Sequence, residues 1–320
     1  MTHIGCGIEQ TKVSLAEAYE RSSLAEQAGA ESLWLVQMPN QRENMMMLSG
    51  LAAQTTTVKL GSAIVPMYTR PPVIMAQTAM TLDEISGGRL ILGLGLGNPI
   101  AGQWMLGSPP APPLAAMREY LTIVTSLIRT GEVSFAGRWH SGHATYGGTR
   151  RPDLPVYLGT FGPRMLELAG ELADGVMLWL CSAEYVAETV MPALRAGWAR
   201  RDSDRGEFSV MITLSTSVVD DPYERETFRR ALGAYCRVAA YRKLFEASGF
   251  TADVKAGRAS DEMVDALSLM GTPAYVRDRL HAYRDAGVTR FAIGPQIGKE
   301  FDKDRYVETL RVAISAFDPA

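Results

Sequence analysis

Apolar runs rich in β-branched residues alternate along the chain with stretches whose apolar positions recur every three to four residues. That order predicts a parallel sheet whose strands are joined by crossover helices. The first unit reads as a strand over residues 3–8 and a helix over about 14–28. Ser14 followed three residues later by Glu17 has the spacing of a capping box, and Gly29 stands where a C-terminal glycine belongs. Further strands read at 32–36, 58–65, 90–94, 156–159, 176–180, 208–219 and 291–293, which makes eight. Helical patterns separate them near 43–54, 73–85, 115–129, 165–173, 183–200 and 274–286, and a last one falls near 306–317.

Two segments break the rhythm. Residues 131–153 are glycine-rich and read as an inserted hairpin or loop, while 222–270 is almost wholly helical and too long for one crossover. The second insertion is placed to cover one end of the sheet. The expected fold is an α/β, (β/α)8 TIM barrel in a single domain over residues 1–320, although an open doubly wound sheet gives the same string.

Composition narrows the function classes. With 47% hydrophobic residues in 320, the chain can bury a large core. Lys and Arg number 32 against 35 Asp and Glu, and neither sign runs on, so nucleic acid is not an expected partner. No segment reaches the roughly 18 consecutive apolar residues of a membrane helix, and the N-terminus lacks the pattern of a secretory signal. Cys6, Cys181 and Cys236 lie far apart with no C-x-x-C, which points to a reducing cytoplasm.

Three motifs carry chemistry. In the run from Ser86 to Pro99, Gly93 and Gly95 alternate along a strand, but Asn98 replaces the third glycine of a dinucleotide fingerprint and no helical pattern follows before about Leu114. Glycine at alternate strand positions instead admits a flat ligand or a neighbouring backbone. The second motif, Thr160, Phe161, Gly162, Pro163 and Arg164, joins a strand to a helix. Proline suits the first helical turn, glycine leaves backbone N–H groups approachable and arginine adds a cation, so an anion is favoured there. The third, from Gly61 to Pro72, is a strand running into a proline-punctuated loop that contains Ala63, Ile64 and Tyr68. Each of the three also fits an ordinary barrel connection. Glu9 lies just past the first strand, on the side where barrels carry chemistry. No zinc spacing, P-loop or G-x-S-x-G occurs, and no metal is expected.

Taken in order, "SLWLVQMPNQ", "LAAQTTTVKLGSAIVPMYTRPPVIMAQTAMTLDEISGGRLILGLGLGN", "PVYLGTFGPRMLELAGELADGVMLW" and "GTPAYVRDRLHAYRDAGVTRFAIGP" resemble the luciferase-like monooxygenase superfamily over nearly the whole chain. Within it the chain is similar to the coenzyme F-420-dependent oxidoreductases, methylenetetrahydromethanopterin reductase among them. The resemblance implies a deazaflavin at the C-terminal mouth of the barrel, its phosphate near Gly162, Pro163 and Arg164, and a bulged third strand with a cis peptide joining Ala63 to Ile64. It further implies hydride transfer to or from a small organic substrate, and a homodimer. Relatives that carry Asp-His after the second strand differ from this chain, which has Gln37 and Met38, and those with Glu after the glycine-rich strand differ at Asn98. Gln37 and Asn98 remain as hydrogen-bonding residues for ring or substrate, with Tyr68 or Glu9 as the proton source. The Glu-Ser and Thr set that holds phosphate in the flavin branch is absent, which favours F-420 over FMN. An FMN monooxygenase and a cofactor-binding barrel without turnover stand as the alternatives.

Overall fold

A computed structural model describes residues 2–11, 13–97, 107, 111–201 and 206–318. Eight parallel strands close into a ring in the order β1 (His3–Gly7), β2 (Ser32–Leu35), β3 (Lys59–Ser62), β5 (Leu90–Gly95), β8 (Val156–Gly159), β9 (Gly175–Trp179), β10 (Ser209–Ser217) and β12 (Arg290–Pro295), which pairs again with β1. Ring closure decides between the two topologies that the residue pattern left open, in favour of the (β/α)8 barrel.

Local chemistry marks the helix ends as expected. The Ser14 hydroxyl accepts from the N–H of Glu17 at 3.1 Å, although the Glu17 carboxylate turns to Arg21 rather than back to the cap. Gly29 takes a φ of +96°, the left-handed conformation that ends the helix Leu15–Gln27. Residues 131–153 contain a hairpin, β6 (Glu132–Ala136) paired antiparallel with β7 (Ser141–Thr145).

Two strands depart from the expected string. The expected single strand over 58–65 is broken after Ser62, and β4 (Val65–Pro66) resumes pairing with β5. The last three residues of the helical insertion form β11 (Ser268–Met270), which pairs with Ser215 to Ser217 of β10. Pairing of β9 along β10 ends at Trp179 opposite Thr213, so the end of the longer strand is free to take up β11.

The barrel interior is filled by large side chains facing small ones. Trp34, Ile91, Tyr157, Met177, Met211 and Ala292 form a core of their own, separate from the larger layer between strands and helices. Trp34 lies over Gly61, where an added Cβ would meet its ring at 2.1 Å, and its indole N–H donates to the Ser32 hydroxyl at 2.9 Å. At the N-terminal end of the strands, Glu31 receives His3, Lys59 and Arg290 at 2.7, 2.7 and 2.8 Å. That end is tied for stability and leaves the C-terminal end for chemistry.

Candidate active site at the barrel mouth

The mouth is shaped first by the interruption of β3. Gly61 pairs with Ile91 and Val65 with Leu94, so four steps of one strand lie against three of the other, a one-residue bulge. The Ser62 hydroxyl donates to the Gly93 carbonyl and accepts from the Gly93 N–H, each at 2.9 Å, and so completes the ladder where backbone pairing lapses. A Cβ at Gly93 would stand 1.9 Å from the Ser62 carbonyl oxygen, hence glycine. The peptide bond joining Ala63 to Ile64 within the bulge is cis, as the family resemblance implied. The Ile64 side chain occupies the room that Gly95 and Gly159 leave, since added Cβ atoms there would meet it at 2.9 and 2.6 Å. The glycines of β5 therefore admit a neighbouring strand and its isoleucine.

Ile64 thus brings the bulge against the end of β8, from which residues 160–164 lead into the helix Pro163–Leu172. The Thr160 N–H donates to the Met177 carbonyl at 3.1 Å, tying the start of the turn to β9. Gly162 is the N-cap, with φ −81° and ψ 137°, and no side chain caps the helix. Its carbonyl accepts from Met165 and Leu166 at 3.0 and 2.9 Å, whereas its own N–H has no acceptor among the described residues. The backbone conformation is open to any residue, and an added Cβ would find no atom within 4 Å. Neither strain nor packing among the described residues requires glycine here. Pro163 opens the helix, and Arg164 is exposed without an ion pair among the described residues. Open N–H groups, the positive end of a helix and a free guanidinium together favour an anion.

The remaining predicted residues have other immediate contacts. Glu9 is exposed, and its carboxylate accepts from the N–H groups of Gln10 and Thr11 at 2.8 and 2.5 Å. Gln37 accepts from the Asn44 N–H at 2.7 Å, at the start of the helix Asn44–Gln54. Tyr68 is half-buried with its hydroxyl beside Gly97, and burial pushes its pKa up to about 12, so the phenol is protonated at neutral pH. Asn98 lies outside the described residues.

Four residues at the mouth were not anticipated. The side-chain amides of Gln10 and Asn44 donate to the consecutive carbonyls of Val36 and Leu35 at the end of β2, at 2.9 and 3.4 Å. Their carbonyl oxygens are buried with no partner among the described residues. Tyr185 donates to the Phe161 carbonyl at 3.0 Å, and the Tyr241 ring lies 4.9 Å from that of Phe161. Long-range contacts of this kind leave no spacing in the sequence; only the polarity of Gln10 beside an apolar strand offered a signal.

Helices Pro222–Tyr235, Ala239–Ala247, Thr251–Ala256 and Asp261–Leu267 follow the C-terminal end of β10. Arg305 holds the first of them through Asp221 and Glu224 at 3.2 and 2.7 Å, and Tyr241 reaches the turn after β8. Glu224 is buried, which pushes its carboxyl pKa up, while hydrogen bonding to Ser217 and Gly298 and the charge of Arg305 oppose the shift.

The sequence profile of the luciferase-like monooxygenase family matches residues 1–290. Over 306 residues the chain is 31% identical to 5,10-methylenetetrahydromethanopterin reductase of Archaeoglobus fulgidus, covering 90% of this chain and 91% of that one. The solved coenzyme F-420-dependent tetrahydromethanopterin reductase of Methanopyrus kandleri superposes with a TM-score of 0.80 at 24% identity, over 99% of this chain and all of that one. An F-420-dependent secondary alcohol dehydrogenase, solved with an F-420–acetone adduct, superposes with a TM-score of 0.82 at 19% identity over 99% of both chains. Profile, sequence relatives and barrel agree: the chain is an enzyme of the luciferase-like monooxygenase family, on the side of its coenzyme F-420-dependent oxidoreductases.

Proposed function

We propose that the protein transfers a hydride between coenzyme F-420 and a small organic substrate, at a C=C, C=N or C=O group. The observation that carries this reading is Gly162: an open glycine at an uncapped helix start, required by no packing or strain among the described residues, at the end of a barrel strand. The fit to the coenzyme is good, because a phosphate needs open N–H donors and a nearby cation. Gly162 and Arg164 would hold the phosphate in a turn that Pro163 sets at the helix start and Thr160 anchors, and Ala63 and Ile64 would support the deazaflavin ring. When bound, the coenzyme supplies the hydride chemistry, and the protein supplies orientation and a dry wall.

Proton handling falls to the chain. Tyr68 keeps its proton at neutral pH and sits beside Gly97, so it is the stronger candidate donor. Glu9 spends one carboxylate oxygen on its own loop and is the weaker one. Gln37 is occupied at a helix start through its oxygen, leaving its amide nitrogen, 3.3 Å from the Met38 carbonyl, as the group that would meet substrate. The open oxygens of Gln10 and Asn44 would accept from N–H or O–H groups brought by a ligand.

A homodimer in a reducing cytoplasm completes the reading. Met46 and Ile74, on adjacent helices, are 73% and 48% exposed, and the three cysteines are buried and unpaired. Anaerobic assay of reduced F-420 against a panel of unsaturated, imine and carbonyl acceptors tests the function. Oxidation of the coenzyme in step with loss of one acceptor is expected. Oxygen uptake driven by reduced FMN, with no F-420 turnover, would contradict it.

A further inference from the structure

We propose that Tyr185 and Tyr241 are positioning residues that clamp Phe161 and so aim the Gly162 N–H at the coenzyme phosphate; this rests on the phosphate reading above. The Phe161 carbonyl and the Gly162 N–H belong to one peptide unit. A trans peptide is planar, with its C=O and N–H pointing opposite ways, so fixing the carbonyl fixes the direction of the N–H. Tyr185 supplies that fixation, donating its hydroxyl to the Phe161 carbonyl at 3.0 Å. A carbonyl that accepts a hydrogen bond also polarises the N–H across the unit, making it a better donor.

Tyr185 is itself held. It is buried and stands in the short helical turn Ala183–Tyr185 after β9, where its N–H donates to the Ser182 hydroxyl at 3.2 Å. Burial keeps its phenol protonated, with a pKa pushed up to about 12, so it donates across the neutral range. From the other side the Tyr241 ring packs on the Phe161 ring at 4.9 Å, and is backed by Tyr235 at 4.5 Å and Phe245 at 6.1 Å. One clamp comes from the barrel and the other from the helical insertion. The residue between them precedes a glycine, the position at which the backbone would otherwise wander most. The insertion thereby acts on the anion site through the packing of Tyr241 on Phe161.

The test compares F-420 with the phosphate-free ribityl deazaflavin that carries the same ring. Fluorescence titration should show the parent binding F-420 much more tightly than the phosphate-free ring. Tyr185→Phe keeps the ring and removes the hydroxyl. It should weaken F-420 binding about 5- to 10-fold, leave the phosphate-free ligand within about twofold and preserve the circular dichroism spectrum. Tyr241→Ala should do the same, and Tyr241→Phe, which keeps the packing, should restore parental affinity. Variants that lose both ligands equally, or lose neither, while the parent still discriminates, overturn the clamp and leave the phosphate reading standing. A parent that binds both ligands alike overturns the phosphate reading itself.

Discussion

The Ser62 hydroxyl and the Gly93 peptide form a closed pair, one oxygen donating to the carbonyl and accepting from the N–H at 2.9 Å each. The bulge that sets Ile64 against β5 and β8 depends on it. Ser62→Ala leaves two buried backbone groups unpaired and should cost about 1 to 3 kcal/mol. Gly93→Ala should cost more, because the added carbon falls on a carbonyl oxygen that cannot move aside. Thermal melts of both variants check this; two parental melting curves would refute the described bulge.

Glu26 provides a pH-dependent test remote from the mouth. Burial alone would raise its pKa, but the N–H groups of Thr57, Thr56 and Val58, at 2.7, 2.9 and 3.2 Å, lower it to about 2. A carboxylate with a depressed folded pKa stabilises the fold when ionised, and that stability is lost as pH falls from about 4.5 towards 2. The group is largely solvent-facing, so after screening the contribution is about 1 to 2 kcal/mol. Urea titrations should show Glu26→Gln less stable than the parent at pH 7, with the gap closing below about pH 3. A gap independent of pH would assign the loss to something other than the charge.

The eight strands were legible because each lies in a short, mostly apolar run bounded by turn residues, and the glycines of β5 announced a close approach. What the pattern could not say was who approaches: Ile64 and the Ser62 carbonyl belong to another strand. The break after Ser62 was invisible in the residue pattern, where GSAIV reads as continuous strand until the Ser62 hydroxyl is seen pairing with Gly93, and only the family resemblance implied a bulge in this strand. The turn at Gly162 was readable because proline, glycine and arginine act through local backbone and charge. Its two tyrosine supports were not, as Tyr185 is 24 residues from Phe161 and Tyr241 sits on an insertion. The short strand Ser268–Met270 was lost in a helical stretch because its partner is the free end of β10.

Gly162→Leu separates folding from binding at the turn. An added Cβ there finds no atom of the described residues within 4 Å and the backbone accepts it, so the variant should melt like the parent. Its bulk would stand over the open N–H groups and should abolish F-420 binding. Arg164→Ala should weaken binding about tenfold at low salt, with the difference shrinking as ionic strength rises, because the guanidinium is exposed. A folded Gly162→Leu protein that binds F-420 as the parent does would put the phosphate elsewhere.

Cofactor choice decides the chemistry of the barrel mouth, and direct titration of the purified protein with F-420 and with FMN tests it most simply. F-420 should bind in the low micromolar range or tighter, about 8 kcal/mol or more, with FMN at least about tenfold weaker, a difference of about 1.4 kcal/mol. FMN binding as tightly as F-420, or more tightly, would contradict it.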